Sequence, residues 1–193
     1  MKKKLDYEIK KYYMETKIFG GKKIVIRKLS NEDLSNVKKF QVFINSFIKE
    51  DAQSLMNKKI TLKEEQKWLE GQIDKVNSQK MVFLLAEYNN RIIGTTEVSL
   101  HIGRQSHVVE FGIAIRKGYR GIGLGSYLMK EVIKLAKKEL KPRPKIIRLG
   151  VFPTSKPAIR LYRKFGFKKV AKIPKQFQYK GKLFEEIIML KEI

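Results

Sequence analysis

The sequence predicts an α/β fold, a mixed β-sheet with helices on its faces. Three observations predict it. Apolar runs of strand type are interleaved with segments at helical spacing, in the order β-α-α-β-β-β-α-β-α-β-β. A glycine-rich stretch stands between a strand and a helix past the middle of the chain. The length of 193 residues suits one domain with a core that needs no disulfides, and the chain has no Cys.

Residues 1–22 are basic and aromatic, with Tyr12-Tyr13 and Gly20-Gly21. They read as an extension, with room for a short helix, ahead of a single domain over 23–193. Ile24 to Leu29 alternates and is the expected first strand. Ser30 with Asp33 makes a capping-box start, followed by Leu34, Val37, Phe40 and Ile44 at helical spacing. Thr61 with Glu64 opens a second helix carrying Leu62, Trp68, Leu69, Ile73 and Val76. Met81 to Glu87 and Arg91 to Leu100 flank Asn89-Asn90, a pair that tolerates the left-handed turn of a tight hairpin. His107 to Ile115 is the next strand. Leu124 to Leu140 is a helix with the stripe Leu124, Tyr127, Leu128, Val132, Leu135 and Ala136, ended by Pro142 and Pro144. Ile146 to Phe152 is a strand. Ala158, Leu161, Tyr162 and Phe165 then share a helix face that Gly166 stops. Two last strands, about 167–173 and 183–190, flank Gly181.

The net charge of +24 predicts attraction to polyanions: nucleic acid, phosphorylated cofactors or acidic proteins. It fits equally a surface solvated by lysine, and the protein is basic either way. The absence of Cys excludes thiol catalysis and Cys-type zinc or iron–sulfur sites. With only His101 and His107, a His-built metal site or triad is not expected, and no metal is assigned. Lys2-Lys3-Lys4 is followed by no apolar stretch of signal-peptide type, and no run approaches a membrane span. A cytoplasmic location without membrane attachment is the expectation.

The most informative stretch is Arg120-Gly121-Ile122-Gly123-Leu124-Gly125. Three glycines in five positions leave backbone N–H groups unobstructed at a helix start, where the first turn has unpaired donors and a positive dipole end. A pyrophosphate suits such a place. Arg116, Lys117 and Arg120 add positive charge beside it. The spacing G-x-G-x-G is not the dinucleotide fingerprint, and no P-loop Lys-Ser pair follows.

Glu110 to Leu190 resembles the GNAT superfamily of acyl-CoA-dependent N-acyltransferases. The carrying motifs are Arg120-x-x-Gly123-x-Gly125 after a strand, and Leu161-Tyr162-Arg163-Lys164-Phe165-Gly166-Phe167 at the right distance. Ile26-Arg27 with Glu32-Asp33-Leu34 is similar to the family's opening strand and first helix, so the likeness spans about 24–190. It implies a mostly antiparallel central sheet with a splayed parallel pair and helices on both faces. It implies acetyl-CoA as co-substrate, with the backbone of Ile113, Ala114 and Ile115 bonding the pantetheine arm. Arg120 and the stretch Gly121, Ile122, Gly123, Leu124, Gly125 and Ser126 would cradle the pyrophosphate. Ser155 stands where the family commonly has Asn; it can bond the cofactor or cap its helix. Tyr162 matches the tyrosine that protonates the departing thiolate.

An attacking amine must lose a proton, and a carboxylate is the usual acceptor. The branch that resembles ribosomal-protein N-terminal acetyltransferases has Leu-Glu-Val in the strand before the last motif; here the triplet is Leu149-Gly150-Val151. Another branch has a Glu in the strand before the glycine-rich loop, which Glu110 matches. Glu97 in the neighbouring strand is the fallback, with Glu87 behind it. His101 and His107 flank a turn and read as surface residues.

The leading reading is direct acetyl transfer from acetyl-CoA to a primary amine in a ternary complex, since no Cys can carry the acyl group. A protein N-terminus or lysine ranks ahead of a small amine. Glu185-Glu186 near the end is weak support for a cationic acceptor. Two alternatives stand beside it. One is a nucleic-acid-binding protein using Lys2 to Lys23 with Tyr7, Tyr12, Tyr13 and Phe19 interleaved. No nucleic-acid motif accompanies that segment, and this partner is not favoured. The other is a non-catalytic CoA sensor. The acceptor would be set by about Phe47 to Thr61 and by Gln176 to Lys182, which carry no recognisable code; a monomer and a homodimer fit equally.

Overall fold

The structure is a computed structural model and describes residues 14–50, 52 and 57–193. Its strands are β1 (Met14–Phe19), β2 (Lys22–Lys28), β3 (Met81–Tyr88), β4 (Arg91–Leu100), β5 (Val108–Ile115), β6 (Ile146–Val151), β7 (Lys168–Tyr179) and β8 (Lys182–Glu192). Its α-helices are α1 (Val37–Lys49), α2 (Leu62–Asn77), α3 (Leu124–Glu139) and α4 (Lys156–Lys164). The strands form one sheet in the order β1-β2-β3-β4-β5-β6-β8-β7. Only β5 and β6 are parallel, and they register over three pairs, Val108 with Ile146, Val109 with Ile147 and Glu110 with Arg148. Beyond Glu110 the two strands part, while β5 continues along β4 as far as Ile115. This is the splay implied by the resemblance, and it opens a cleft in the middle of the sheet.

Helices cover both faces. On one face α3 and α4 bury Met129, Val132, Leu135 and Tyr162 against Val98, Val109, Phe111 and Leu149. On the other, α1 and α2 place Phe40, Phe43, Phe47, Leu69 and Ile73 on Met81, Phe83 and Leu85. The stripe along α3 follows its 3.6-residue period as expected. Leu34 does not join the α1 stripe: the Ser30–Asp33 capping box opens a 3-10 turn, Asn31–Asn36, whose tighter pitch leaves Leu34 exposed.

Arg27 fixes where α1 begins. Its guanidinium donates to both Asp33 oxygens, at 2.9 and 2.7 Å, and to both Glu87 oxygens, at 3.0 Å. Asp33 also accepts from the Ser30 N–H at 3.0 Å and is buried. Glu87 is thus a structural ion-pair partner, away from the cleft. Asp33→Ala would leave Arg27 short of a buried partner and is expected to cost about 3–5 kcal/mol, read from urea denaturation midpoints.

Two boundaries differ from the sequence reading. The last part of the expected 1–22 extension is strand β1, paired with β2 from Met14↔Arg27 to Phe19↔Lys22. Residues 1–13, with the expected short helix and the Tyr12-Tyr13 pair, lie outside the described residues. The turn at Gly20-Gly21 sets Gly20 against the Ile122 side chain, and Phe19 lies 5.5 Å from the Tyr127 ring. The glycine-rich loop is therefore backed by the β1–β2 hairpin. The other difference is β7, which continues past Pro174 to Tyr179 with irregular register between Ile173 and Phe177. As the outer strand, β7 tolerates a proline that an inner strand would not.

Candidate active site

The loop from Arg116 to Gly123 leads from the open end of β5 into α3. Gly123 is the N-cap residue at φ 88°, a left-handed conformation that favours glycine. The first α3 bond runs from the Tyr127 N–H to the Gly123 carbonyl at 3.1 Å. The N–H groups of Leu124, Gly125 and Ser126 precede it, and no side chain caps them. Gly125 lets the helix approach the sheet: a Cβ there would stand 3.3 Å from Ile115 Cδ1. At Gly121 a Cβ would meet open space. Ile122 and Leu124 turn inward with Ile115 and Leu128 and pin the loop. Free donors, a positive helix end and open space in front of them fit a pyrophosphate.

Arg120 acts differently from its expected role as free positive charge. Its Nε donates to the Ile115 carbonyl at 2.6 Å and its Nη2 to Glu50 Oε2 at 2.7 Å. Glu50 Oε1 accepts from the Lys117 N–H at 3.0 Å. The end of α1 and the loop are thus tied together through one carboxylate, and Arg120 shapes the loop.

The splay exposes the β5 edge. The Arg116 N–H bonds the Ile93 carbonyl of β4 at 2.9 Å, and strand alternation then assigns the backbone groups of Ala114 and Gly112 to the β4 ladder. Phe111 still gives its N–H to the β6 ladder through the Glu110–Arg148 pair, and the backbone groups of Ile113 and Ile115 face the cleft. Ile113 presents both its N–H and its carbonyl to the cleft and Ile115 its N–H, since Arg120 holds the Ile115 carbonyl, whereas the backbone groups of Ala114 are used by the β4 ladder. Ser155 is the N-cap residue of α4, and its hydroxyl makes no cap bond. It is left able to donate to a ligand.

Tyr162 sits in α4 with its ring packed on Phe111 and Phe167, each at 6.0 Å between centroids. Its hydroxyl has no hydrogen-bond partner among the described residues. Burial, with the nearby Glu97 charge adding to it, pushes the phenol up to about 12. Glu97 of β4 lies opposite Gly112 of β5, and its carboxylate occupies the space where a Gly112 side chain would stand. Glu97 is half-buried and carries no hydrogen bond or ion pair among the described residues. Burial pushes it up to about 7. Glu110 stands at the vertex of the splay and is engaged: it accepts from Arg148 Nη1 at 2.8 Å and lies 3.2 Å from His101 Nε2. His101 is thus part of this cluster rather than a lone surface residue. His107 is exposed.

The structure therefore gathers a glycine-rich loop with uncapped helix N–H groups, an open strand edge, a free phenol and an unpaired carboxylate around one cleft. The acetyltransferase (GNAT) family matches residues 46–167. The chain belongs to that family. Among relatives, the L-amino acid N-acetyltransferase AaaT of Escherichia coli is 41% identical over 64 residues, 33% of this chain and 38% of that protein. The chain thus aligns with well under half of that relative's length. The putative phosphinothricin acetyltransferase YwnH of Bacillus subtilis is 24% identical over 69% of this chain and 79% of its own. Among solved structures, the ribosomal-protein-alanine N-acetyltransferase of Brucella melitensis has a TM-score of 0.73 at 21% identity, covering 87% of this chain and 99% of that one. At that identity the last likeness shows the fold.

Within this GNAT chain the motifs found by spacing fall at the cleft, from Ile113 through Ser126 and at Tyr162. The environment of Glu97 was beyond sequence reasoning. It depends on the Glu97–Gly112 register, and the glycine inside Glu110-Phe111-Gly112 was the one available sign of a vacated space. Among the described residues no group of three or more His, Asp or Glu is placed to hold a metal ion, and no helix is long and apolar enough to cross a membrane.

Proposed function

We propose that this protein transfers an acetyl group from acetyl-CoA directly to the α-amine of a peptide or protein N-terminus. The observation that carries the reading is the unpaired Glu97 carboxylate, pushed up to about 7, beside the free Tyr162 hydroxyl. A base of that strength is matched to an α-ammonium, ordinarily near 7.7–8.0. It is about three units too weak to match a lysine, near 10.4. Its opposite number is an acid that stays protonated throughout the neutral range.

The residues divide the work. The first-turn N–H groups of α3 hold the pyrophosphate, and the cleft-facing backbone of Ile113 and Ile115 orients the arm. Acetyl-CoA supplies the activated thioester. N–H groups of the β5 edge can stabilise charge developing on the acyl oxygen. Glu97 takes one proton from the acceptor ammonium and releases it to solvent. The freed nitrogen bonds the acyl carbon as the carbon–sulfur bond breaks. Tyr162 donates its proton to the departing sulfur and regains one from the nitrogen. Two protons leave the nitrogen, one ending on sulfur and one in solvent, so the account balances. Each step is direct, in a ternary complex.

A second reading, a free amino acid as acceptor, is favoured by one observation. The Arg148 guanidinium gives one hydrogen bond to Glu110 and is partly exposed, with donors left for a carboxylate. The name of AaaT, an L-amino acid N-acetyltransferase, points the same way. The test is thiol release from acetyl-CoA with three acceptor sets: peptides with free N-termini and no lysine, N-blocked peptides with lysine, and free L-amino acids. Turnover with the first set alone supports the reading. Turnover confined to blocked lysine peptides overturns it, and preference for free amino acids moves the second reading to the front.

A further inference from the structure

Gly150 of β6 has no conformational need to be glycine, because its φ is not positive. What it lacks is a side chain, and the space of that side chain is filled. A Cβ built on Gly150 would collide with Oε1 of Glu186, which reaches across from β8. Gly150 pairs with Ile188, so Glu186 lies one same-face step further along β8. On the other wall of the splay the same arrangement occurs, with Glu97 of β4 over Gly112 of β5. Each glycine stands two residues past the last registered β5–β6 pair, Glu110 with Arg148. The two carboxylates therefore line opposite walls of the cleft at the same depth.

Glu186 is free to take a ligand. It makes no hydrogen bond or ion pair among the described residues, whereas Glu110 is engaged by Arg148 and His101. Burial holds its carboxyl above the usual carboxylate range; Arg148 pulls it back down and Glu110 pushes it up. The strand that carries it is held by ring contacts nearby. Phe152, just past the end of β6, stacks on Phe177 at 4.0 Å and meets Phe184 at 6.4 Å, and so fastens the β7–β8 hairpin.

We propose that Glu186, whose carboxylate fills the space left by the missing side chain at Gly150, binds the ammonium of the acceptor across the cleft from Glu97. The inference rests on the function proposed above and deepens it. It makes Glu186 a binding and specificity residue that selects cationic primary amines over uncharged nucleophiles, while Glu97 performs the proton transfer.

Steady-state kinetics with the best lysine-free peptide, varying peptide and acetyl-CoA separately, test the proposal. Glu186→Gln is expected to raise the KM for the peptide about tenfold or more, the factor that corresponds to about 1.4 kcal/mol. The KM for acetyl-CoA should not move and kcat should stay within a few-fold. Gly150→Ala should act alike by displacing the carboxylate. The double variant Gly150→Glu, Glu186→Gly should recover most of the loss, because it returns a carboxylate to the same space. Glu185→Gln, whose partner is Lys172, is the control and should change nothing. The proposal is overturned if Glu186→Gln leaves the peptide KM unchanged, if both KM values rise together, or if a folded double variant shows no recovery. A wild-type protein that acetylates no amine of the three sets fails the functional reading itself. That result is distinct from an active wild type indifferent to Glu186.

Discussion

Replacing Glu97 by Gln is expected to lower kcat/KM by about 10²–10⁴-fold, the range for loss of a general base. The wild-type kcat/KM should rise with pH through an apparent pKa near 7, and Glu97→Gln should lose that rising limb. Stability should move the other way. The folded carboxyl is pushed up to about 7 from an unfolded value of 4.5, so between those values the folded state binds more protons. Folding stability therefore falls as pH rises from 4.5 to about 7. Glu97→Gln removes that loss. It should melt higher than wild type above pH 7, by up to about 3 kcal/mol, and show no advantage below pH 4.5. Glu65, buried on α2, is likewise pushed up to about 7, so the wild-type curve has two contributors and the difference between the proteins isolates Glu97. A variant with full activity, or one whose pH profile keeps its acidic limb, would remove Glu97 from the mechanism.

Tyr162→Phe is the second large effect. The ring packing on Phe111 and Phe167 survives the change, so folding and the KM for acetyl-CoA should stay close to wild type. Only the hydroxyl is lost, and kcat is expected to fall about 10²-fold or more. The remaining activity should keep the limb near pH 7, since that limb belongs to Glu97 and the phenol titrates far above it. A loss that vanishes with a more acidic thiol leaving group would show that the proton goes to sulfur. An equal loss with every leaving group would assign Tyr162 a positioning role.

Much of the fold could be read from local pattern. The α3 stripe, the Thr61–Glu64 capping box and the strand–loop–helix order around Gly123 depend on residues a few positions apart. What escaped depends on neighbours distant in sequence. Strand β1, Met14–Phe19, is largely exposed on both sides, so it carries no apolar alternation; its partner β2 defines it. Pro174 reads as a strand end, and only the position of β7 at the sheet margin lets the strand continue. Glu110 and Glu97 are both single carboxylates in apolar strands. Arg148, brought alongside by the parallel pair, occupies the first; Gly112, brought opposite by the antiparallel pair, makes room for the second. Gly150 looked like a missing base, and the carboxylate in its space comes from a strand some 36 residues further along.

The parting of β5 and β6 also bears on how the molecule breathes. Only three registered pairs join the block β1–β5 to the block β6–β8, and α3 and α4 bridge them from one face. Hydrogen bonds in a central strand are ordinarily among the last to open. Here the amides of Ile113 and Ile115 lie in the middle of the sheet and yet face a gap. They should exchange with solvent like amides of an outer strand, while their immediate neighbours Gly112 and Ala114 exchange slowly. A ligand arm bonded along that edge would act as a missing strand, joining two cooperative units into one.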